Sequence, residues 1–452
     1  MNIIIAGGGK VGATLVRQLS AEEHDLTVVD LNSAALEATV EQYDVMGVQG
    51  NCASMEVLRR AGVGEADLLI AVTGADEMNL LCCATAHGMN QRLHTIARIR
   101  NPEYAEQTHK MRDMFALSMT MNPEKQAAIE LERLLRFPGF LRREPFAKGR
   151  AQLVELRVDE KSKLNGVSLI EMYRIVKCRV LVCAVLRNGQ AITPGGNFVL
   201  QAGDRIFVTA PTANLAQLLK NLGVDIHRVK SCLIGGGGRL SYYLAQLLLS
   251  DGIRVRILEK NPERCRFLAA ELPGTQVLCG DFSKREDLEE AGLASCDAFL
   301  SLTGMDEINM VSSLFAVSRG VPQVITKVSN RENMALAADL SLGSTVCPRE
   351  LSTNDVVRYV RAMGKQTGAA ISVHAIAGGQ AEAVEFLVDE TTRNCGISLK
   401  NIRLRPNVLL ATISHAGQVE IPHGDSVVSC GDSVVVVTTQ IGTLKTLNDI
   451  FA

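Results

Sequence analysis

A chain of 452 residues is long enough for about three or four domains, each with a sizeable core. Its 47 Lys and Arg nearly balance 49 Asp and Glu, for a net charge of −2, and 47% of its residues are hydrophobic. Those values exclude a disordered chain and a polybasic nucleic-acid binder, and no run approaches the roughly 18 consecutive apolar residues of a membrane span, so no direct membrane insertion is expected.

The first predicted elements carry the pattern that organises the rest. Ile3, Ile4 and Ile5 form a β-branched run suited to a strand buried on both faces. The run breaks into Gly7, Gly8 and Gly9, after which Val11, Leu15 and Leu19 recur at helical spacing. A second apolar run, Leu26 to Val29, ends in Asp30. Within this strand–turn–helix–strand order, Gly7-x-Gly9-x-x-Gly12 fits the dinucleotide-binding fingerprint. Gly7 makes the tight turn, Gly9 lets the backbone approach a pyrophosphate, and Gly12 lets the helix pack close to the strand. Gly8, Lys10 and Val11 complete the turn, where helix N–H groups and the Lys10 ammonium can meet phosphates. Asp30 stands where a carboxylate would take ribose hydroxyls.

Further along, a helix is predicted over Ser33 to Gln42 and a short strand over Val45 to Gln49, ending in Gly50-Asn51-Cys52. A helix over Ser54 to Ala61 precedes a fourth strand, Leu68 to Val72, ending in Thr73-Gly74. A helix from Asp76 to about His87 and a strand from His94 to Ile99 come next. In a doubly wound parallel sheet, ligands bind beyond the carboxyl ends of the strands. Gly7, Asp30, Asn51, Thr73 and Arg98 all fall there, so one crevice is expected to gather them. The plainer alternatives are helix N-caps for Thr73 and Asp76 and a solvated edge charge for Arg98.

Pro123 opens an amphipathic helix through Ala128, Ile129, Leu131, Leu134 and Leu135, stopped by Phe137-Pro138-Gly139. Such a helix either leaves its sheet to pack on another subunit or stays within its own domain. From about Ala151 the texture changes to strands over Gln152–Val158, Val180–Val185 and Arg205–Thr209, with turns at Asn188-Gly189, Pro194-Gly195 and Gly203-Asp204. Helix Leu215–Leu222 closes this small α+β module, and Leu222 to Ser231 joins it to the second half of the chain.

The second half repeats the first. Gly236 matches Gly7, Gly237 matches Gly8, Gly238 matches Gly9, Arg239 matches Lys10 and Glu259 matches Asp30. Gly12 has Ser241 as its counterpart. Gly280-Asp281-Phe282 answers Gly50-Asn51-Cys52, the stretch from Ala291 answers that from Ala61, and Lys327 answers Arg98. A second proline-led helix starts at Pro348, and Gly431-Asp432 answers Gly203-Asp204. The expected division is a nucleotide-binding domain at 1–122 and a crossover helix at 123–145, then a C-terminal module at 146–225. A second domain at 229–347, a second helix at 348–368 and a second module at 369–452 repeat it. The fold class is α/β: two Rossmann-like doubly wound parallel sheets, each followed by a small α+β module.

The twelve cysteines include no CxxC, and Cys82, Cys83, Cys178, Cys183 and Cys232 sit in apolar runs. They read as small buried hydrophobes in a reducing cytosol, with no metal site. Met1 leads directly into the first strand, so no signal peptide is expected. His227, His374, His415 and His423 have no histidine counterparts in the other repeat and read as solvated loop residues, and no Ser–His–Asp pattern or HExxH occurs. A duplicated crevice without a shared base points to a sensor with no catalytic residues. The alternatives are an NAD(P)-dependent oxidoreductase and a nucleotide or redox sensor acting on some other partner.

The glycine turn with Asp30, together with Gly50-Asn51-Cys52, Ala71-Val72-Thr73, Asp76-Glu77-Met78-Asn79 and Ala97-Arg98, resembles the nucleotide-binding half of an RCK (KTN) domain. The blocks ending in Gly203-Asp204 and Gly431-Asp432 resemble its C-terminal companion. Two such pairs in tandem resemble the peripheral subunits of Trk potassium-uptake systems, over essentially the whole chain. That resemblance implies a cytoplasmic regulator at the inner face of the membrane, a homotetrameric ring. It also implies NAD(H), with ATP or ADP, as ligands that gate a TrkH/TrkG-like potassium-translocating subunit. The ligand contacts implied are Gly7, Gly8, Gly9, Lys10, Val11, Gly12, Asp30, Asn51, Cys52, Thr73, Gly74 and Arg98 in the first repeat, and Gly236, Gly237, Gly238, Arg239, Glu259 and Asp281 in the second.

Overall fold

The computed structural model describes residues 1–22, 24–136, 140–223, 229–329, 331–340, 342–363 and 370–452. The predicted helix stop at Phe137-Pro138-Gly139, His227 and the middle of the Leu222–Ser231 joint, residues 224–228, lie outside the described residues. The chain divides into two compact units. One is Met1–Ile129 with Gly238–Gln246 and Cys347–Val360; the other is Glu130–Gly237, Leu247–Val346 and Arg361–Ala452.

In the first unit, β1 (Asn2–Ala6), α1 (Lys10–Ser20), β2 (Asp25–Asp30), α2 (Ser33–Gln42) and β3 (Met46–Gln49) lead into α3 (Met55–Arg60) and β4 (Leu68–Ala71). Next come α4 (Asp76–Met89), β5 (His94–Arg98), α5 (Pro102–Glu106), α6 (Thr108–Met114), β6 (Met119–Met121) and α7 (Pro123–Arg136), of which the sequence reading lacked α5, α6 and β6. The sheet runs β3-β2-β1-β4-β5-β6, all parallel. This is the doubly wound order, with the topological switch between β1 and β4. Ile3, Ile4 and Ile5 are buried at the centre, as a strand covered on both faces requires.

The second unit holds the first module: β7 (Arg142–Phe146), β8 (Ala151–Arg157), α8 (Leu169–Val176), β9 (Leu181–Arg187), β10 (Gln190–Ile192), β11 (Arg205–Pro211) and α9 (Leu215–Leu222). The chain continues through β12 (Ser231–Gly235), α10 (Arg239–Ser250), β13 (Arg254–Glu259), α11 (Pro262–Glu271), β14 (Gln276–Cys279) and α12 (Arg285–Glu290). Then come β15 (Ala298–Ser301), α13 (Asp306–Ser318), β16 (Gln323–Lys327), α14 (Arg331–Asp339), β17 (Ser344–Val346) and α15 (Pro348–Met363). Its parallel sheet, β14-β13-β12-β15-β16-β17, repeats the first. The second module closes the chain: β18 (Ala370–Ile376), β19 (Ala381–Leu387), β20 (Val408–His415), β21 (Gln418–Glu420) and β22 (Ser433–Thr438).

Both modules are five-stranded antiparallel sheets, ordered β10-β9-β11-β8-β7 and β18-β19-β22-β20-β21. They share one core through an alanine-rich face, with Ala151 and Ala184 from one and Ala381, Ala383 and Ala411 from the other, packed around Phe146 and Phe207. Small side chains let the two faces approach closely. The second module is not a full copy, because single 3-10 turns at Leu399–Asn401 and Leu447–Ile450 stand where the first has α8 and α9. Pro406 occupies the position equivalent to Val176, the last residue of α8, and a proline there removes a helical N–H and pushes the preceding residue out of the α region.

The proline-led helices behave as neither alternative foresaw. In the first unit, α15 is bound to the first sheet's layer by Arg17–Glu350 at 2.7 Å, Gln18–Asn354 at 3.1 Å and His94–Tyr359 at 2.9 Å. In the second unit, the end of α7 joins the second sheet's layer, with Gln323 donating to the Leu134 carbonyl at 3.0 Å and Arg136 paired to Asp251 at 3.0 Å. Each helix thus packs on the parallel-sheet domain of the other repeat. The stretch 123–145 is also not all helix, since Arg142–Phe146 is strand.

Candidate functional site: the crevice of the first sheet

The glycine turn is shaped by steric limits. Gly7 has φ +112°, and a Cβ there would lie 2.9 Å from the Thr73 nitrogen. A Cβ on Gly12 would lie 1.9 Å from the Gly7 carbonyl oxygen, so this turn admits only glycine. Gly9 differs: it caps α1 with φ −68°, and a Cβ there would meet open space. Asp30 ties the turn together, accepting from the Gly8 N–H at 2.6 Å and the Asn32 N–H at 2.8 Å.

A cavity of about 350 Å³ opens beside this turn. Of the residues predicted for the first repeat, Gly7, Gly9, Lys10, Val11, Asp30, Asn51, Cys52, Thr73, Gly74 and Arg98 line it. Gly8 and Gly12 do not; they hold the turn from behind. The sequence reading missed the apolar wall: Val29, Leu31, Val72 and Met78. Their signal was present, because they flank the strand ends and the start of α4.

Thr73 and Asp76 are not the N-caps of the plainer reading, since Ala75 caps α4. Thr73 gives its N–H and hydroxyl to Asn79 Oδ1 at 2.8 and 2.7 Å, and Asn79 reaches the Arg98 carbonyl at 2.9 Å. This fully buried amide locks the ends of β4 and β5. Asp76 accepts the N–H groups of Arg100 and Asn101, both at 2.7 Å, and so orders the next turn. Arg98 is no solvated edge charge. It donates to the Thr73 carbonyl, while its buried Nε has no hydrogen-bond partner. Burial, then the like charge of Arg100, lowers it to about 10. Arg239 also lowers it, whereas Glu124 and Asp76 act the other way. Arg239, predicted for the second crevice, therefore acts on Arg98 of the first. In the cavity wall the Cys52 thiol is lowered chiefly by a hydrogen bond from Cys82.

The second cradle repeats the device. Gly236 has φ +96°, and Glu259 accepts from the N–H groups of Gly237 at 2.5 Å and Asn261 at 2.8 Å. Asn309 clamps Thr303 and the Lys327 carbonyl as Asn79 clamps Thr73 and Arg98. Asp281, however, is ion-paired with Lys260 at 2.9 Å. The Ser283 hydroxyl first, and Lys260 second, hold its carboxyl well below the usual range. Gly238 and Arg239 belong to the first compact unit.

The remaining candidates have structural places. His374 is buried on β18, its Nδ1 2.7 Å from Glu144 Oε2, and His415 is exposed but paired with buried Asp432 at 2.5 Å. His374 is therefore not a solvated loop residue. Glu144 and His374 occupy equivalent positions of β7 and β18, so the two modules meet through one residue of each repeat. The Gly-Asp blocks are likewise structural: Asp204 holds Arg187, and Asp432 holds His415. Cys279 and Cys430 are exposed, and Cys178 is half-buried, so not every cysteine is a buried hydrophobe.

Residues 3–117 and 232–348 match the TrkA-N domain family, and 153–223 the TrkA-C domain family. A Trk system potassium uptake protein TrkA homolog of Archaeoglobus fulgidus is 32% identical over 436 residues, 96% of this chain and 97% of that one. The chain belongs to the TrkA family. TrkA of Azorhizobium caulinodans is 30% identical over 442 residues, 96% of this chain and 95% of its own. Among solved structures, the GsuK channel bound to NAD superposes with a TM-score of 0.60 at 18% identity, over 98% of this chain and 77% of the channel. At that identity the likeness concerns the fold: Rossmann-like halves with a companion module, twice.

Proposed function

We propose that this chain is a nucleotide-binding regulatory subunit of a Trk-type potassium-uptake system. In this reading it gates a TrkH/TrkG-like membrane subunit in response to NAD(H), with ATP or ADP as a second ligand, and catalyses no reaction. The observation that carries it is the first cavity. It offers a carboxylate at the β2 end for ribose, apolar walls at Val29, Leu31 and Met78 for a base, and open space above Gly9 at a helix N-terminus for a pyrophosphate. The buried Arg98 Nε lacks a partner that a phosphate oxygen would supply. The uptake system comes from the relatives' names, and the nicotinamide ligand is also the one bound in the GsuK channel structure.

A nucleotide gates only by binding two shapes with different affinity. The levers in this reading are α7 and α15, each packed on the parallel-sheet domain of the other repeat. No helix among the described residues is long and apolar enough to cross a membrane; in this reading the chain reaches the inner face of the membrane through its partner. A homotetrameric ring would cover the apolar stripe of Val311, Leu314 and Val317 on α13 with Leu336 and Leu340 by α14.

Calorimetry with NADH, NAD, ATP and ADP, alongside copurification with a Trk membrane subunit, tests this. Binding without turnover and nucleotide-dependent capture of the membrane subunit are expected. Substrate-dependent change in nicotinamide absorbance would replace the regulator with an oxidoreductase. A monomeric mass at micromolar concentration with nucleotide present would remove the ring.

A further inference from the structure

Beside the second cradle, two thiols from different elements meet. Cys265 lies in the first turns of α11, and Cys279 ends β14, where it is in register with Glu259 of β13. Their sulfurs hang from consecutive carbonyls of one turn: Cys265 Sγ donates to Glu259 O at 3.3 Å, and Cys279 Sγ lies 4.0 Å from Lys260 O. The Cys279 side chain is near enough to act on the Cys265 thiol. Cys279 is exposed and Cys265 half-buried, so an oxidant in solution reaches the pair. The first repeat has Leu36 and Gln49 at these positions, so the pair belongs to the second repeat alone.

We propose that Cys265 and Cys279 form a redox modification site, a dithiol that a hydroperoxide converts reversibly to a disulfide. In the first step the Cys279 thiolate attacks one peroxide oxygen. The O–O bond breaks, Cys279 becomes a sulfenic acid, and the departing alkoxide takes a proton and leaves as an alcohol. In the second, the Cys265 sulfur attacks the sulfenic sulfur. The S–S bond forms and the S–O bond breaks, and the hydroxyl leaves as water with the Cys265 proton. The two thiols together lose two electrons and the peroxide gains two. Cys279 attacks first because it is exposed, while burial first, and contact with Cys279 second, push the Cys265 thiol up to about 11. The bond would draw both sulfurs off the carbonyls of Glu259 and Lys260, the turn that carries the second cradle's acid. An exposed disulfide is the labile, readily reduced kind. The site stands independently of any nucleotide.

The test is a titration of the intact chain with tert-butyl hydroperoxide, followed by peptide mapping without reductant. A 265–279 crosslink, short by two hydrogen atoms and reversed by dithiothreitol, is expected before any change at Cys52, Cys82 or the exposed Cys430. In Cys265→Ala, Cys279 should stop at a sulfenic acid that dimedone traps. The proposal is overturned if parent Cys279 goes to sulfinic acid while Cys265 stays a free thiol, or if Cys430 is oxidised while this pair remains reduced. The parent map alone decides, so a poorly folded variant does not obscure the answer.

Discussion

The two cradles share their backbone and differ in what lines them. In each, a positive-φ glycine ends the first strand, an acid at the end of the second ties the following glycine N–H, and a buried asparagine clamps two strand ends. The first has Ala6 and Cys52 where the second has Gly235 and Phe282. A Cβ on Gly235 would lie 2.3 Å from the Phe282 ring, so strand and loop have exchanged bulk. Leu268 fills the space at Gly237, 2.6 Å from where a Cβ would stand, and Arg264 donates to the Gly237 carbonyl at 2.6 Å. Leu31 and Asn51 line the first cavity, while their counterparts Lys260 and Asp281 pair with each other. A backbone device that rests on hydrogen bonds and φ angles tolerates divergence of the side chains around it. The first cradle is therefore expected to be the better dinucleotide site.

The severest challenge to this contrast is Gly12→Ser, which gives the first turn the residue that the second repeat carries as Ser241. Its Cβ meets backbone at 1.9 Å, so helix α1 must move, at a cost of about 3 kcal/mol. Calorimetric unfolding should show the loss, and an unchanged transition would mean that the turn is looser than its geometry. Next in size is Asp30→Ala, expected to weaken NADH binding by roughly ten-fold or more through loss of a charge-assisted hydrogen bond. Glu259→Ala should do little, and greater loss from it would reverse the ranking of the two sites. Arg98→Gln should weaken phosphate-bearing ligands by a smaller factor. An affinity left unchanged by this substitution would remove Arg98 from the contact. Smallest of all is the double change Lys260→Leu with Asp281→Asn, which gives the second mouth the residues of the first. An exposed ion pair is worth little, so a gain in NADH affinity of at most about five-fold is expected, and a loss would show the pair serving the ligand.

The repeat, the alternation of strand and helix, and the residues of the first cavity's glycine turn were legible without any coordinates. These depend on local periodicity and on glycine's freedom at Gly7, Gly9 and Gly12, which show over a few residues. Even there, the division of labour needed the folded chain: Gly9 faces open space, whereas Gly12 is closed by the Gly7 carbonyl. Long-range packing settled that α15 binds the first sheet through Arg17–Glu350, that Arg239 acts on Arg98, and that Glu144 meets His374. Each of these joins residues more than a hundred positions apart. No periodicity encodes such a pairing, because it depends on which of two nearly equivalent surfaces each repeat packs against. The buried Arg98 Nε likewise could not be foreseen, since a charge at a strand end reads as solvated until its surroundings remove the water.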